Sequence, residues 1–186
     1  RFGVIGAGQI SRSACEEINR HTNALVVAAS DPSAERVAEL AAALGGDLRT
    51  FSDNQALLHD PDIDAVFIAT PNAFHAPLAL SALQAGKHVI VEKPFATNAI
   101  EARAVVEQAT ASGKLLSVGM NQRFREDSQR VHALVQAGTL GHVYHAKAFW
   151  FRRAGIPKLG TWFCNKALAG GGALYDIGVH LLDLAL

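Results

Sequence analysis

Short apolar runs alternate with segments of helical periodicity from residue 2 to residue 118. The strand-like runs cover 2–5, 24–29, 65–69, 88–91 and 115–118, and the helix-like segments cover 9–19, 34–44, 76–84 and 100–112. Ser33 precedes the second of these helices as a cap, and Gly113 closes the last one. Strands that alternate with helices predict an α/β fold with a doubly wound parallel sheet built from βαβ units.

The regular alternation of strand-like and helix-like segments ends at Gly119. The pattern predicts one more helix over 122–136, a long aromatic strand over 142–151 and a final helix that begins near Ala173. These features divide the chain into a first domain, 1–120, and a second domain, 121–186. The chain opens at Arg1 within the first strand and closes within an apolar run that has no helix stop signal, so we expect part of the protein to lie outside it.

Composition favours a globular protein and excludes several classes of partner. Of the 186 residues, 49% are hydrophobic, which is enough to bury a core. The 17 basic and 17 acidic side chains give zero net charge, so neither a nucleic acid nor an anionic membrane is expected as a partner. Cys15 and Cys164 match no zinc or redox spacing. Free thiols, no signal peptide and no membrane-length apolar run favour the cytoplasm.

The segment after the first strand has the form of a dinucleotide-binding loop. Gly6 permits a tight turn, and Gly8 lets the backbone approach a pyrophosphate. The helix that follows from Gln9 and Ile10 offers free N–H groups to that anion. Ser11 stands at the third-glycine position, where a small side chain still permits close packing of helix on strand. These features predict a Rossmann domain, and a turn glycine pair that binds no ligand is the alternative.

An acidic residue at the end of the second strand bears on the choice of cofactor. Asp31 lies 25 residues after Gly6, near the spacing at which a carboxylate meets the adenosine ribose. Such a carboxylate accepts ribose hydroxyls and repels a 2′-phosphate, which favours NAD over NADP. Arg12 and Arg36 are close enough in sequence to weaken that preference, so NADP stays open.

Two turns at the carboxyl ends of strands carry candidate chemistry. Lys93, beside Glu92 after the strand 88–91, can donate a proton or hydrogen bond to a substrate oxygen, or it is a surface lysine in a strand–helix turn. Asn72 lies in the Thr70-Pro71-Asn72 turn after the strand 65–69, and its side chain is expected to cap the next helix. His75 lies either beside the cofactor or simply in the first turn of the next helix.

The final helix carries three titratable residues in an otherwise apolar segment. Asp176, His180 and Asp183 fall at i, i+4 and i+7, and hence on one face if the segment is α-helical. Three such groups on a buried stripe need partners, which a catalytic pocket supplies. A structural polar network is the alternative.

The order of these motifs resembles a known family of oxidoreductases. The segments GVIGAGQIS, SDPSAERV, ATPNAFH, VEKPFATN, VGMNQRF and GGGALYDIGVHLLDLAL are similar to those of the glucose–fructose oxidoreductase, inositol dehydrogenase and rhizopine-catabolism family, Gfo/Idh/MocA. The resemblance implies a Rossmann domain followed by an α/β substrate domain with an open, mostly antiparallel sheet. Two departures are the proline missing after Phe124 and the absence of most of that sheet from this chain.

The resemblance also implies roles for individual residues. Lys93, Asp176 and His180 match the family's catalytic residues, and Asn121 matches a residue near the nicotinamide and substrate. Trp162 and Asp183 are weaker candidates for the substrate pocket, and no metal site is predicted. The predicted cofactor-binding set is Gly6, Gly8, Gln9, Ile10, Asp31, Thr70, Pro71, Asn72, His75, Glu92, Lys93 and Asn121.

The predicted activity is hydride transfer between NAD or NADP and a secondary alcohol of a sugar, polyol or related compound. An NAD-dependent glycosidase of the same fold and a non-catalytic dinucleotide-binding sensor are the alternatives. The expected partner is a small sugar or polyol, and the resemblance implies a homo-oligomer, a dimer or tetramer, for the full-length protein.

Overall fold

The computed structural model describes residues 1–155 and 158–186. Contacts between residues divide the chain into two compact units, Arg1–Val118 and Gly119–Leu186. Within these described ranges, no helix combines the length and the apolar character that crossing a membrane requires.

The first unit is built on a six-stranded parallel sheet with the order β3-β2-β1-β4-β5-β6. Its strands are β1 (Phe2–Ile5), β2 (Val26–Ser30), β3 (Arg49–Phe51), β4 (Ala65–Ile68), β5 (His88–Val91) and β6 (Leu116–Val118). The order reverses direction between β1 and β4, as in doubly wound dinucleotide-binding folds. The predicted α/β class and parallel sheet are therefore confirmed.

Five helices connect these strands. They are α1 (Gln9–Arg20), α2 (Ala34–Ala43), α3 (Asn54–His59), α4 (His75–Gln84) and α5 (Ala99–Ser112). Ser33 caps α2 by accepting from an N–H of its first turn, and Gly113 ends α5 with a φ of +65°. The sequence pattern does not predict β3 and α3, because β3 is a three-residue edge strand with mostly exposed side chains and so lacks an apolar run.

Both faces of the sheet are buried, and this fixes the strands in place. Side chains alternate between the faces along a strand. Ile5 and Ile68 belong to a core cluster with side chains of α3, α4 and α5, whereas Val4 and Phe67 belong to a cluster with α1 and α2. Burial on both faces explains why these strands read as continuous apolar runs. The ends of the central strands are therefore set by the core on each side.

The second unit contains helices and turns but no strand among its described residues. Its elements are a 3₁₀ turn (Asn121–Phe124), α6 (Glu126–Gln136), a 3₁₀ turn (Trp162–Cys164), α7 (Lys166–Ala169), a π-helical turn (Leu174–Gly178) and α8 (Val179–Ala185). The helix predicted over 122–136 is confirmed from residue 126 onward.

The predicted aromatic strand over 142–151 is wrong for this structure. A strand needs a neighbour that pairs with its main-chain N–H and C=O groups, and no described segment pairs with these residues. Tyr144, Phe149 and Phe151 are 90%, 68% and 88% exposed. The mostly antiparallel sheet implied by the family resemblance thus has no counterpart among the described residues.

Candidate functional site

The carboxyl ends of four neighbouring strands lie side by side at one edge of the sheet. The register pairs Ile5 of β1 with Ser30 of β2 and with Ile68 of β4, and it pairs Ile68 with Val91 of β5. The segments that follow these strands, 6–9, 31–33, 69–72 and 92–94, therefore start at neighbouring positions along one edge. Ligands of doubly wound folds bind at this edge.

Two glycines shape the loop between β1 and α1 in different ways. Gly6 has a φ of +93°, and a Cβ on it would lie 2.5 Å from the carbonyl oxygen of Ala69, so only glycine fits. A Cβ on Gly8 would meet no described atom within 4 Å, so the loop surface is open there. The hydroxyl of the fully buried Ser11 donates to the Gly6 carbonyl and braces the turn.

Helix α1 begins directly behind this loop. It starts at Gln9 with Gly8 as its N-cap, and within the described residues no side chain caps it. The N–H groups of a first helical turn have no partner within the helix, and the turn carries a partial positive charge. The side chains of Gln9 and Ile10 are exposed. Backbone donors next to an open loop surface fit the pyrophosphate of a dinucleotide.

Asp31, the first residue after β2, is held by two main-chain N–H groups. One carboxylate oxygen accepts from Ala7 and the other accepts from Ser33, each at 2.8 Å. Each oxygen keeps a further lone pair, so the carboxylate can also accept ribose hydroxyls. The bond to Ala7 ties Asp31 to the glycine loop, a link that sequence spacing does not reveal.

His75 lies in the first turn of α4, which is one of its two predicted positions, and its predicted contact with the cofactor stays a prediction. This residue begins α4 and its side chain is 1% exposed. Its Nδ1 and Nε2 atoms lie 2.7 and 2.8 Å from the carbonyl oxygens of Pro94 and Thr70. Burial lowers the pKa of His75, the two carbonyl oxygens oppose that shift, and the charge of Lys93 adds to it. A neutral imidazole donates through one nitrogen only, so the ring donates to one of these carbonyl oxygens and contacts the other, at the turns that follow β4 and β5.

The predicted capping role of Asn72 is wrong. Asn72 is buried in a 3₁₀ turn, Asn72–Phe74, which runs directly into α4. Phe74, whose side chain cannot accept a hydrogen bond, occupies the N-cap position of α4. The main-chain N–H of Phe74 donates to the Pro71 carbonyl at 2.9 Å, and Thr70 and Pro71 are half-buried. The helix continues the preceding turn and starts without a polar cap.

The turn after β5 brings a carboxylate and an amine together in sequence. The main-chain N–H of Glu92 donates to the Ile68 carbonyl at 2.9 Å, which continues the pairing of β5 with β4. The Glu92 carboxylate accepts from the main-chain N–H of Lys93 at 3.2 Å. Burial raises the pKa of Glu92, and hydrogen bonding and charge from Lys93 oppose that shift. The peptide between Lys93 and Pro94 is cis.

In the second unit, Asp176 and His180 lie on either side of a change in helix type. Asp176 belongs to the π-helical turn and His180 to α8. The predicted α-helical spacing between them is therefore wrong, because a π-helical turn contains more residues than an α-helical turn. Such single turns are frequent at functional sites. His180 is 6% exposed, and its ring centroid lies 6.0 Å from that of Trp150.

Asp183, the third member of the predicted face, is bound by an arginine. The Nε atom of Arg123 donates to one carboxylate oxygen of Asp183 at 2.9 Å, and a second guanidinium N–H contacts the other oxygen. The Asp183 side chain is 10% exposed and that of Arg123 is 54% exposed. The pair links the turn Asn121–Phe124 to α8, and the weaker prediction that Asp183 faces a substrate stays a prediction. The only sequence signal for Arg123 is its charge within the motif VGMNQRF.

Two further predicted residues make local contacts in the same unit. Asn121 is exposed, and its side-chain oxygen accepts from Gln122 at 3.3 Å. Trp162 stacks on Phe163 with the ring centroids 3.8 Å apart. In the described ranges, no group of three or more His, Cys, Asp or Glu side chains is arranged to hold a metal ion.

Comparison with known proteins places the chain among oxidoreductases. A model described as an oxidoreductase family with an NAD-binding Rossmann fold matches residues 1–120, and a model of the Gfo/Idh/MocA C-terminal domain matches 128–186. D-glucoside 3-dehydrogenase of Escherichia coli (strain K12) is 38% identical over 186 residues, 100% of this chain and 53% of that protein. 1,5-anhydro-D-fructose reductase of Ensifer adhaerens is 34% identical over 183 residues, 98% of this chain and 54% of that protein.

A solved structure agrees over almost the whole chain. GenD2 from gentamicin A biosynthesis, crystallised in complex with NAD, superposes with a TM-score of 0.85 at 27% identity, covering 98% of this chain and 51% of that one. The chain spans about half the length of the curated relatives it matches.

A doubly wound sheet with an open glycine loop at the point where its strand order reverses defines a dinucleotide-binding protein. The family comparison narrows that class. This chain belongs to the Gfo/Idh/MocA family of oxidoreductases, with an NAD-binding Rossmann fold over residues 1–120. The resemblance stated from the motifs and the nicotinamide dinucleotide as cofactor are thereby confirmed.

Proposed function

We propose that this chain is the cofactor-binding domain and the start of the substrate domain of an NAD(P)-dependent dehydrogenase acting on a secondary alcohol of a sugar, polyol or related compound. The observation that carries the proposal is the position of Lys93. It follows β5 at the same sheet edge as the open glycine loop after β1. Relatives named as a D-glucoside 3-dehydrogenase and a 1,5-anhydro-D-fructose reductase support a sugar as substrate.

Each proposed catalytic residue has a distinct task. When bound, the nicotinamide supplies the acceptor for the hydride that leaves the substrate carbon. His180 accepts the hydroxyl proton, since a neutral imidazole is the side chain best suited to act as a base at neutral pH. Lys93 stabilises the negative charge on that oxygen or relays the proton, and Asp176 orients the substrate or the lysine. Asn121 and Trp162 border the nicotinamide and substrate.

NAD is the proposed cofactor, because the Asp31 carboxylate repels a 2′-phosphate. Arg12 and Arg36 keep NADP as the second choice. The cytoplasm is the proposed location, supported by Cys15 and Cys164, which are both free thiols. A dimer or tetramer of the full-length protein is part of the same proposal, and light scattering on the purified protein tests it.

A substrate panel tests the proposed activity. The full-length protein is assayed with sugars, inositols and sugar acids, and reduction of NAD and NADP is followed by absorbance. Net NADH from a free sugar or polyol is the expected result. Release of an aglycone from a glycoside without net NADH identifies a glycosidase, and tight dinucleotide binding without turnover of any compound identifies a sensor. Either of these two results overturns the dehydrogenase.

Substitution of two residues tests the proposed roles. Lys93→Met and His180→Asn are each expected to lower kcat by about 10² to 10⁴, the usual range for lost proton transfer, while NAD affinity changes little. Lys114→Met is the matched control. Lys114 precedes β6 and so lies at the amino ends of the strands, whereas Lys93 follows the carboxyl end of β5. Loss of NAD binding in both variants assigns Lys93 and His180 a structural role instead.

A further inference from the structure

The carboxylate of Asp31 joins two main-chain segments at the cofactor edge. Its oxygens accept from the N–H groups of Ala7 and Ser33, each at 2.8 Å. Ala7 is the residue between the two glycines of the loop, and its side chain is buried. Asp31 therefore reaches from the end of β2 to the middle of the loop that follows β1.

The loop needs such a restraint because of its composition. Glycine has more conformational freedom than any other residue, so a loop with Gly6 and Gly8 on either side of Ala7 loses much entropy when it becomes ordered. The N–H of Gly6 donates to the Ser30 carbonyl at 2.8 Å, which fixes the start of the loop. Asp31 fixes its middle with a hydrogen bond to an ionised acceptor, which is stronger than a bond between neutral groups.

The same contact decides which donors remain for a ligand. The Ala7 N–H is committed to Asp31, so the donors for a pyrophosphate come from the first turn of α1, behind the open surface at Gly8. Holding Ala7 in place thus holds the approach to that helical turn open.

We infer that Asp31 is a positioning residue that sets dinucleotide affinity by holding the Gly6–Gly8 loop in its binding conformation, independently of any contact with the adenosine ribose. The inference rests on the proposed function, in which this loop receives the pyrophosphate. The loop restraint also affects the choice between NAD and NADP. A neutral residue at this position removes the charge that repels a 2′-phosphate but also releases the loop, so affinity for NAD and NADP should fall together.

A pair of matched substitutions separates the loop restraint from a ribose contact. Asp31→Asn in the full-length protein keeps the shape of the side chain but loses one acceptor oxygen. Asp53→Asn is the control, because Asp53 also accepts a main-chain N–H, that of Gln55 at 3.1 Å, at the start of α3. Binding of NAD and of an NAD analogue without the adenosine ribose hydroxyls (2′,3′-dideoxyadenosine) is measured by calorimetry.

The inference predicts at least a tenfold loss of affinity in Asp31→Asn for both ligands and a change below twofold in Asp53→Asn. Asp31→Glu, which keeps the charge but moves the carboxylate, is a second variant that should also weaken the analogue. If Asp31→Asn and Asp31→Glu bind the analogue as tightly as the wild type does, Asp31 acts through the ribose alone and the inference is wrong.

A measurement without ligand completes the test. Amide hydrogen exchange at Ala7 should become at least tenfold faster in Asp31→Asn and stay unchanged in Asp53→Asn. Unchanged exchange at Ala7 in Asp31→Asn overturns the loop restraint directly. A wild-type protein that binds no dinucleotide overturns the proposed function and the inference with it, whereas normal wild-type binding with unaffected Asp31 variants overturns the inference alone.

Discussion

The candidate residues of the two units are held by different kinds of contact. In the first unit, Asp31 and His75 bind main-chain N–H and C=O groups of the turns that follow the strands. In the second unit, an ion pair joins α8 to the turn Asn121–Phe124 through two side chains, the guanidinium of Arg123 and the carboxylate of Asp183. The partners in the first unit are main-chain groups beside a buried sheet. The partner in the second unit is the side chain of Arg123, which is 54% exposed.

Side chains bound to main-chain groups of the sheet are held more rigidly than side chains bound to each other. The packing of the core fixes the main-chain groups at the end of a strand. A side chain that binds these groups is therefore fixed with them. A pair of side chains must lose rotamer freedom to meet, and dissolved salt screens its attraction. Substitutions at the sheet edge of the first unit should therefore lower its stability strongly, and salt should change that stability little. Substitutions in the ion pair of α8 should lower stability little, and salt should weaken the pair.

The two glycines of the loop give the largest expected effect and its control. Gly6→Ala adds a Cβ 2.5 Å from the Ala69 carbonyl oxygen at a positive φ, and we expect it to lower the free energy of unfolding by about 2–5 kcal/mol. Gly8→Ala should change it by about 1 kcal/mol or less, because its Cβ meets no described atom within 4 Å and the only cost is that of a poorer N-cap for α1. Urea titration measures both. Equal stability of the two variants would mean that the sheet edge is not rigid.

The buried sheet explains which parts of the candidate site could be predicted from the sequence. The glycine loop, Asp31 and the turn that carries Lys93 follow buried apolar strands, and such runs are visible in the sequence because both faces of the sheet are covered. The partners of His75 could not be predicted, since Thr70 and Pro94 contribute main-chain carbonyls, which every residue has.

The second unit shows why the remaining predictions were harder to make from sequence. The apolar aromatic run 142–151 has strand character, but a strand requires a partner, and pairing partners are not encoded within the run itself. The π-helical turn Leu174–Gly178 likewise has no periodicity of its own in five residues. Arg123 and Asp183 are 60 residues apart in sequence, so only the fold brings their charges together.

Replacing His75 gives the next largest effect. His75→Leu removes the ring from the carbonyl oxygens of Thr70 and Pro94 and deprives one of them of the hydrogen bond that the neutral imidazole donates, so we expect a loss of about 1–3 kcal/mol in the free energy of unfolding. His59→Leu is the control: His59 also contacts a main-chain carbonyl but is exposed, and it should change stability by less than about 0.5 kcal/mol. A loss in His59→Leu as large as in His75→Leu contradicts the prediction.

His75 should also make stability fall at acid pH. Burial holds its pKa below the ordinary value of 6.5, so the unfolded chain binds a proton that the folded protein resists. This stabilisation is complete above pH 6.5 and is lost as the pH falls through the folded pKa. The stability advantage of the wild type over His75→Gln should shrink from about pH 8 to about pH 5, as followed by urea titration. An advantage that grows towards acid pH would show a charged imidazolium bound to both carbonyl oxygens.

The ion pair of α8 should give the smallest effect and the only one that depends on salt. Arg123→Ala is expected to lower Tm by about 2 °C or less, because pairs with an exposed partner stabilise little. A double-mutant cycle with Asp183→Asn should still show a coupling that weakens as salt is added, since the Asp183 side chain is only 10% exposed. The pair Arg125–Asp127, with side chains 60% and 66% exposed, is the control and should show almost no coupling. If both pairs couple equally, or if salt leaves the coupling of Arg123 with Asp183 unchanged, α8 is held by its apolar contacts and the contrast between the units is weaker than the geometry indicates.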